Sequence, residues 1–72
     1  MKSHSAVDLT RTGALFTARA LQGYRSKNKD ELNFKEGAII HVIDVDAEGG
    51  RFRGKLGKKK GWFPDFYVVR EN

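Results

Sequence analysis

The sequence predicts a small all-β domain, and three observations predict it. The densest β-branched stretch, Ala38-Ile39-Ile40-His41-Val42-Ile43-Asp44-Val45, has the composition of a strand. Arg51-Phe52-Arg53-Gly54-Lys55-Leu56 alternates strictly between charged and apolar or small positions. Turn-forming residues recur every few positions between short apolar runs. Several short strands separated by turns make a small barrel or sandwich. Closing the sheet hides edges that otherwise invite aggregation.

Residues 1–13 are polar, lack apolar periodicity and end in Thr12-Gly13, so a flexible leader is expected there. Ala14 to Leu21 suits a strand with Ala18 and Ala20 on one face. Propensity also admits a short helix, tightly bounded by Gly13 and Gly23. Gln22 to Asp30 is polar and charged and reads as a long loop. Glu31-Leu32-Asn33-Phe34 places Leu32 and Phe34 on one face, and Lys35-Glu36-Gly37 turns. After the β-branched strand, Asp46-Ala47-Glu48-Gly49-Gly50 is a second turn. Arg51, Arg53 and Lys55 share one face of the next strand, opposite Phe52, Gly54 and Leu56. Gly57-Lys58-Lys59-Lys60 is a basic hairpin turn, and Gly61-Trp62-Phe63 opens another strand. Pro64 enters a turn predicted to be one tight helical turn, and Val68-Val69-Arg70 closes the domain.

The 72 residues suffice for one domain of marginal stability. No cysteine is present, which excludes disulfides and thiolate metal sites. His4 and His41 are too few and too far apart in sequence for zinc. Apolar packing therefore carries the fold, and no cofactor is implied. No apolar run has the length of a membrane span, and the first residues lack the apolar centre of a signal peptide, so a cytoplasmic location is expected. No Ser-His-Asp, Cys-His or paired-carboxylate arrangement is present, and no phosphate-loop glycine pattern. The chain is expected not to be an enzyme.

In order and spacing, the signals from Ala14 to Arg70 resemble a Src homology 3 (SH3) domain. Ala20-Leu21-Gln22-Gly23-Tyr24 stands at the family's opening Ala-Leu-Tyr-Asp-Tyr motif. Asp30-Glu31-Leu32-Asn33-Phe34-Lys35-Glu36-Gly37 matches its acidic pair, Leu, Phe and turn glycine. Arg51-Phe52-Arg53-Gly54 stands at its Trp-Trp pair and the Gly beyond, and Gly61-Trp62-Phe63-Pro64-Asp65-Phe66-Tyr67-Val68 at its closing motif. The resemblance implies a five-stranded antiparallel barrel over residues 14–72, with RT loop, n-Src loop, distal hairpin and one short 3-10 turn. The expected core is Ala18, Ala20, Leu32, Phe34, Ile40, Val42, Phe63 and Val68, with Leu56 at its margin. Truncating Phe34 or Val42 to alanine is expected to cost about 2–5 kcal/mol. Gly54 is expected where the barrel backbone approaches closely.

Domains of this family dock proline-rich segments in the polyproline II conformation, whose stiffness keeps the ordering cost low. The resemblance implies a peptide-binding groove of Tyr24, Trp62, Pro64 and Tyr67, with Glu31 at the position that pairs with a ligand cation, supported by Asp46 and Glu48. Three departures set this chain apart. Gln22 replaces the first tyrosine, Arg51 the first tryptophan, and Phe66 an asparagine. A guanidinium at position 51 repels a ligand Arg or Lys and attracts carboxylate or phosphate; pairing with Glu31 or Glu48 would instead close the pocket. The expectation is an atypical interaction module of a larger signalling, cytoskeletal or trafficking protein. It would act as a monomer and use Tyr24, Glu31, Arg51, Trp62, Pro64, Phe66 and Tyr67 on a protein partner, proline-rich or noncanonical.

The charge supplies the rival reading. Fourteen basic residues face nine acidic ones, a net charge of +5. Arg51, Arg53, Lys55, Lys58, Lys59 and Lys60 form a run with no acid among them. This is either a solvated strand edge that resists aggregation or a face for a phosphoinositide, an acidic protein or nucleic acid. Nucleic acid needs basic and stacking residues on one face, whereas Phe52 alternates away from the basic track.

Overall fold

A computed structural model of the protein describes residues 14–71; the leader expected over residues 1–13 lies outside the described residues. Five strands form one antiparallel sheet: β1 (Phe16–Ala20), β2 (Ile39–Asp46), β3 (Arg51–Leu56), β4 (Lys59–Pro64) and β5 (Val68–Arg70). Their order is β4-β3-β2-β1-β5. A 3-10 turn, Asp65–Tyr67, links β4 to β5 directly behind Pro64. The helix that propensity allowed near the start is not formed. Ala18 pairs with Ile40 on one side and Arg70 on the other, so the segment is held between two strands. This tertiary pairing overrides the helical preference of its alanines.

The core consists of Ala18, Ala20, Leu32, Phe34, Ile40, Val42, Phe63 and Val68, all buried. Leu56 packs half-buried at its margin. These are the eight positions expected for the core. In β2 the alternation breaks once. A register shift between Val42 and Asp44 marks a bulge, after which Val45 turns outward (41 % exposed). Such a bulge adds a residue and increases local twist, which bends the strand. His41 is exposed opposite Lys55, as its phase in the strand implies.

Aromatic rings close the barrel. Phe63 lies edge-on to Phe34 at 5.2 Å and to Phe52 at 6.2 Å between ring centroids. Gly54, on β3, faces this cluster. A Cβ there would collide with Ile40 Cγ2 and approach Phe63 Cε2 to 2.8 Å, so the close approach expected at Gly54 is present.

Residues 21–38 form the long loop. Two isolated bridges lie in it, Tyr24 with Phe34 and Glu31 with Trp62. The basic hairpin turn is shorter than expected: Gly57 and Lys58 turn, while Lys59 and Lys60 already belong to β4. Lys60 pairs with Lys55 across the hairpin.

Candidate functional site

The long loop is built from its own polar side chains. Ser26 N–H donates to Asn33 Oδ1 at 2.7 Å, Asn28 N–H to Ser26 Oγ at 3.0 Å, and Asp30 N–H to Asn28 Oδ1 at 2.8 Å. These short-range bonds are the kind that Ser, Asn and Asp offer in place of a regular ladder. The loop then docks on β4. Trp62 N–H donates to Asp30 O and Leu32 N–H to Trp62 O, both at 2.9 Å. The docking requires Gly61. A Cβ at that position would stand 2.7 Å from Glu31 C and Leu32 N.

Docking in this way places Tyr24, Glu31 and Trp62 on one side of the molecule. The Tyr24 hydroxyl donates to Glu31 Oε1 at 2.7 Å. Its ring lies edge-on to Tyr67 at 4.9 Å, and Phe66 lies 5.0 Å from Tyr67. Tyr24, Trp62, Pro64 and Tyr67 are half-buried. Phe66 is 69 % exposed, the largest exposure among the large apolar residues. The 3-10 turn sets this arrangement by presenting Phe66 and Tyr67 in succession at the surface.

The electrostatics follow from two carboxylates. Glu31 is held below its ordinary carboxyl pKa, first by hydrogen bonding to Ser26, then by Tyr24, with a further contribution from the charge of Arg51. The Tyr24 phenol is pushed above 10.0, chiefly by the same bond to Glu31 and then by desolvation. Asp46 is also lowered, first by Arg51 and then by the Gly49 N–H.

Arg51 pairs with neither Glu31 nor Glu48. Its Nη2 donates to Asp46 Oδ2 at 2.9 Å, and its guanidinium carbon lies 5.1 Å from the Trp62 ring centroid. Asp46 and Arg51 face each other across the β2–β3 ladder, which explains the choice. Asp46 therefore serves Arg51 and not Glu31. The pocket stays open: a cleft of about 300 Å³ lies between Lys29, Asp30 and Glu31 of the loop and Arg51, Arg53 and Trp62 of the β3–β4 hairpin.

The expected separation of basic and aromatic residues does not hold. Arg53 pairs directly with Trp62, and Arg51 with Pro64, so these side chains share the outer face. Reading β3 alone hid this, because the aromatic comes from the neighbouring strand. The six-residue basic run is also divided. Arg51, Arg53 and Lys60 line the cleft, while Lys59 lines a different depression with Tyr24, Arg25 and Lys35. Lys29, from the loop, joins the basic set at the cleft, although its sequence neighbourhood did not single it out. Among the described residues, no cluster of three or more His, Cys, Asp or Glu is placed to hold a metal ion.

Comparisons with known proteins agree with this architecture. Residues 17–70 match the variant SH3 domain family. The chain is 49 % identical over 55 residues to human CD2-associated protein, covering 75 % of this chain and 9 % of that protein. It is 46 % identical over 50 residues to human Rho guanine nucleotide exchange factor 7, covering 69 % of this chain and 6 % of that protein. It thus spans less than a tenth of the length of these relatives. The crystal structure of the C-terminal SH3 domain of myosin IB from Entamoeba histolytica, bound to the EhFP10(GEF) peptide, superposes with a TM-score of 0.72. Identity there is 36 %, over 78 % of this chain and 82 % of that one. With a five-stranded sheet, a closing 3-10 turn and a family match across 17–70, this chain belongs to the SH3 domain family.

Proposed function

We propose that the domain binds a partner polypeptide along the strip formed by Tyr24, Tyr67, Phe66, Pro64 and Trp62. The observation that carries this reading is the packing of Tyr24 and Tyr67, 4.9 Å apart and both half-exposed. Two rings held edge-on present ridges with a slot between them, and an extended segment with prolines at regular spacing fits such slots without losing much freedom. Aromatic side chains with a polar tip suit a surface that is partly wet. Phe66 adds ring surface beside Tyr67, while Gln22, which is exposed, offers none. The groove is thereby shifted toward the 3-10 turn. The myosin IB relative is described as bound to a peptide, which supports the same mode here.

Glu31 acts within this reading as the partner of the Tyr24 hydroxyl and orients that ring. Ligands with an Arg or Lys beside the prolines bind weakly, because Arg51 occupies the place of a large aromatic. The domain would serve as a monomeric, noncatalytic adaptor within a larger cytoplasmic protein of signalling, cytoskeletal or trafficking type. A basic-face function toward phosphoinositide or nucleic acid is less well supported, since Lys59 lies away from Arg51, Arg53 and Lys60.

Titration of the chain with an alanine-flanked proline-rich peptide, followed by amide chemical-shift mapping, tests the proposal. Shifts should cluster at Tyr24, Trp62, Phe66 and Tyr67, and Tyr67→Ala should weaken binding about tenfold or more. Shifts confined to the outer face of β1 and β5 would refute it, as would tight binding of Arg-flanked peptides for the atypical part.

A further inference from the structure

Between the long loop and the β3–β4 hairpin lies the cleft of about 300 Å³, large enough for one side chain of a bound peptide. Four basic residues line it, Lys29, Arg51, Arg53 and Lys60, against two acids, Asp30 and Glu31. Asp46 is paired with Arg51 just outside the lining, so four minus three leaves the cleft one charge positive. The wall acids reduce this charge, but among the described residues neither forms an ion pair with a cation of the cleft. Glu31 already accepts the Tyr24 hydroxyl, and among the described residues the ion pairs are Arg19–Glu71 and Arg51–Asp46, with none to Arg53. Arg53 Nε is buried and has no hydrogen-bond partner. A desolvated guanidinium N–H without an acceptor is unfavourable, so Arg53 carries a charge at the cleft that no partner within the domain offsets. Trp62 stands opposite Arg53 in the ladder, and the Arg51 guanidinium lies over its ring. One flat aromatic and two guanidinium groups thus converge on the same opening. This arrangement suits a planar carboxylate, which guanidinium groups bind through paired N–H donors.

We infer that this cleft receives the side-chain carboxylate of an Asp or Glu in the partner peptide, next to the segment held on the aromatic strip. The inference rests on the groove reading above and deepens it by assigning the charge of the flanking residue. The specificity of the cleft is set by Arg53 and Arg51, with Lys29 and Lys60 adding long-range attraction. Glu31, although acidic and at the rim, contributes through Tyr24 and not by pairing with a ligand cation. A single acidic side chain fits the excess of one positive charge, and the two wall acids weigh against a more highly charged group.

The chain contains one tryptophan, so the fluorescence of Trp62 reports on the cleft directly. Three proline-rich peptides identical except for Glu, Ala or Arg at both flanks are titrated into the 72-residue chain at low and at high salt. The Glu-flanked peptide should bind about tenfold more tightly than the Ala-flanked one at low salt, and the Arg-flanked one more weakly than either. The advantage of Glu should shrink with added salt. Arg53→Gln should bring the Glu-to-Ala ratio close to one, and Arg53→Lys, which keeps the charge but not the fork, should leave it intermediate. Equal binding of the three peptides, preference for Arg, or an unchanged ratio in Arg53→Gln overturns the inference while leaving the groove in place. Failure of all three to bind overturns the groove reading and the inference together.

Discussion

The bond from Tyr24 to Glu31 ties a ring of the aromatic strip to a carboxylate of the loop, and both groups carry its signature in their acidity. Replacing Glu31 by Gln removes the charge that opposes ionisation of the phenol. The Tyr24 pKa should then fall back toward 10.0, measured by tyrosinate absorbance. Acid should act on the other side of the same pair. Glu31 and Asp46 both have folded-state pKa values below their ordinary 4.5 and 3.8. Each therefore stabilises the folded protein above its unfolded pKa, and that contribution disappears as pH falls through the folded value. The thermal midpoint should therefore begin to drop as pH falls below about 4.5 and continue to drop below 3.8. In the double variant Glu31→Gln, Asp46→Asn this drop should be shallower; an equal drop would locate the acid sensitivity elsewhere. Because both groups are well solvated, the effect is small and screened by salt.

At the level of elements, two glycines control how segments meet. Gly54 lets β3 pass the Ile40 and Phe63 side chains, and Gly61 lets the long loop lie on β4. The two have different consequences. Gly54→Val inserts a branched side chain into a filled core and should abolish cooperative thermal unfolding, since overpacking forces backbone shifts. Gly61→Ala meets loop backbone rather than core. It should leave the sheet formed but push the loop off Trp62, with amide exchange of Leu32 and Trp62 accelerated and peptide affinity lowered. Unchanged exchange at those two amides would show that the loop tolerates the extra carbon. Strand β5 is three residues long and pairs with β1, and Leu21 N–H donates to Tyr67 O beside it. At the other end Asp65 N–H donates to Gly50 O at 2.9 Å, so the 3-10 turn is fixed at both ends, which keeps Phe66 and Tyr67 in place.

For the molecule as a whole, stability rests among the described residues on eight buried side chains and their half-buried neighbours, and the sequence has no cysteine for a disulfide. Phe63 is fully buried among aromatic rings. Phe63→Ala should cost about 3–5 kcal/mol. A small domain has a stability of about 5 kcal/mol at the low end, so this variant should be largely unfolded at physiological temperature by circular dichroism. A native-like midpoint would mean that the core redistributes its load. Among the described residues no helix is long and apolar enough to cross a membrane.

The sequence alone indicated the all-β class, the eight core positions and, through its motifs, the family. Alternation with a period of two assigns each strand residue a face, and the order of turn signals restricts the topology. It also brought Tyr24, Glu31, Arg51, Trp62, Pro64, Phe66 and Tyr67 into one list, through motifs whose spacing survives folding. Only the tertiary structure decided their electrostatic roles. Arg51 chose Asp46 because the β2–β3 register sets them opposite each other, and no periodicity encodes register between strands. Trp62 came to stand beside Arg53 for the same reason. Lys29 reached the cleft because Gly61 admits the loop. One-dimensional patterns specify which face a residue takes; which residues meet across that face depends on pairing between distant segments.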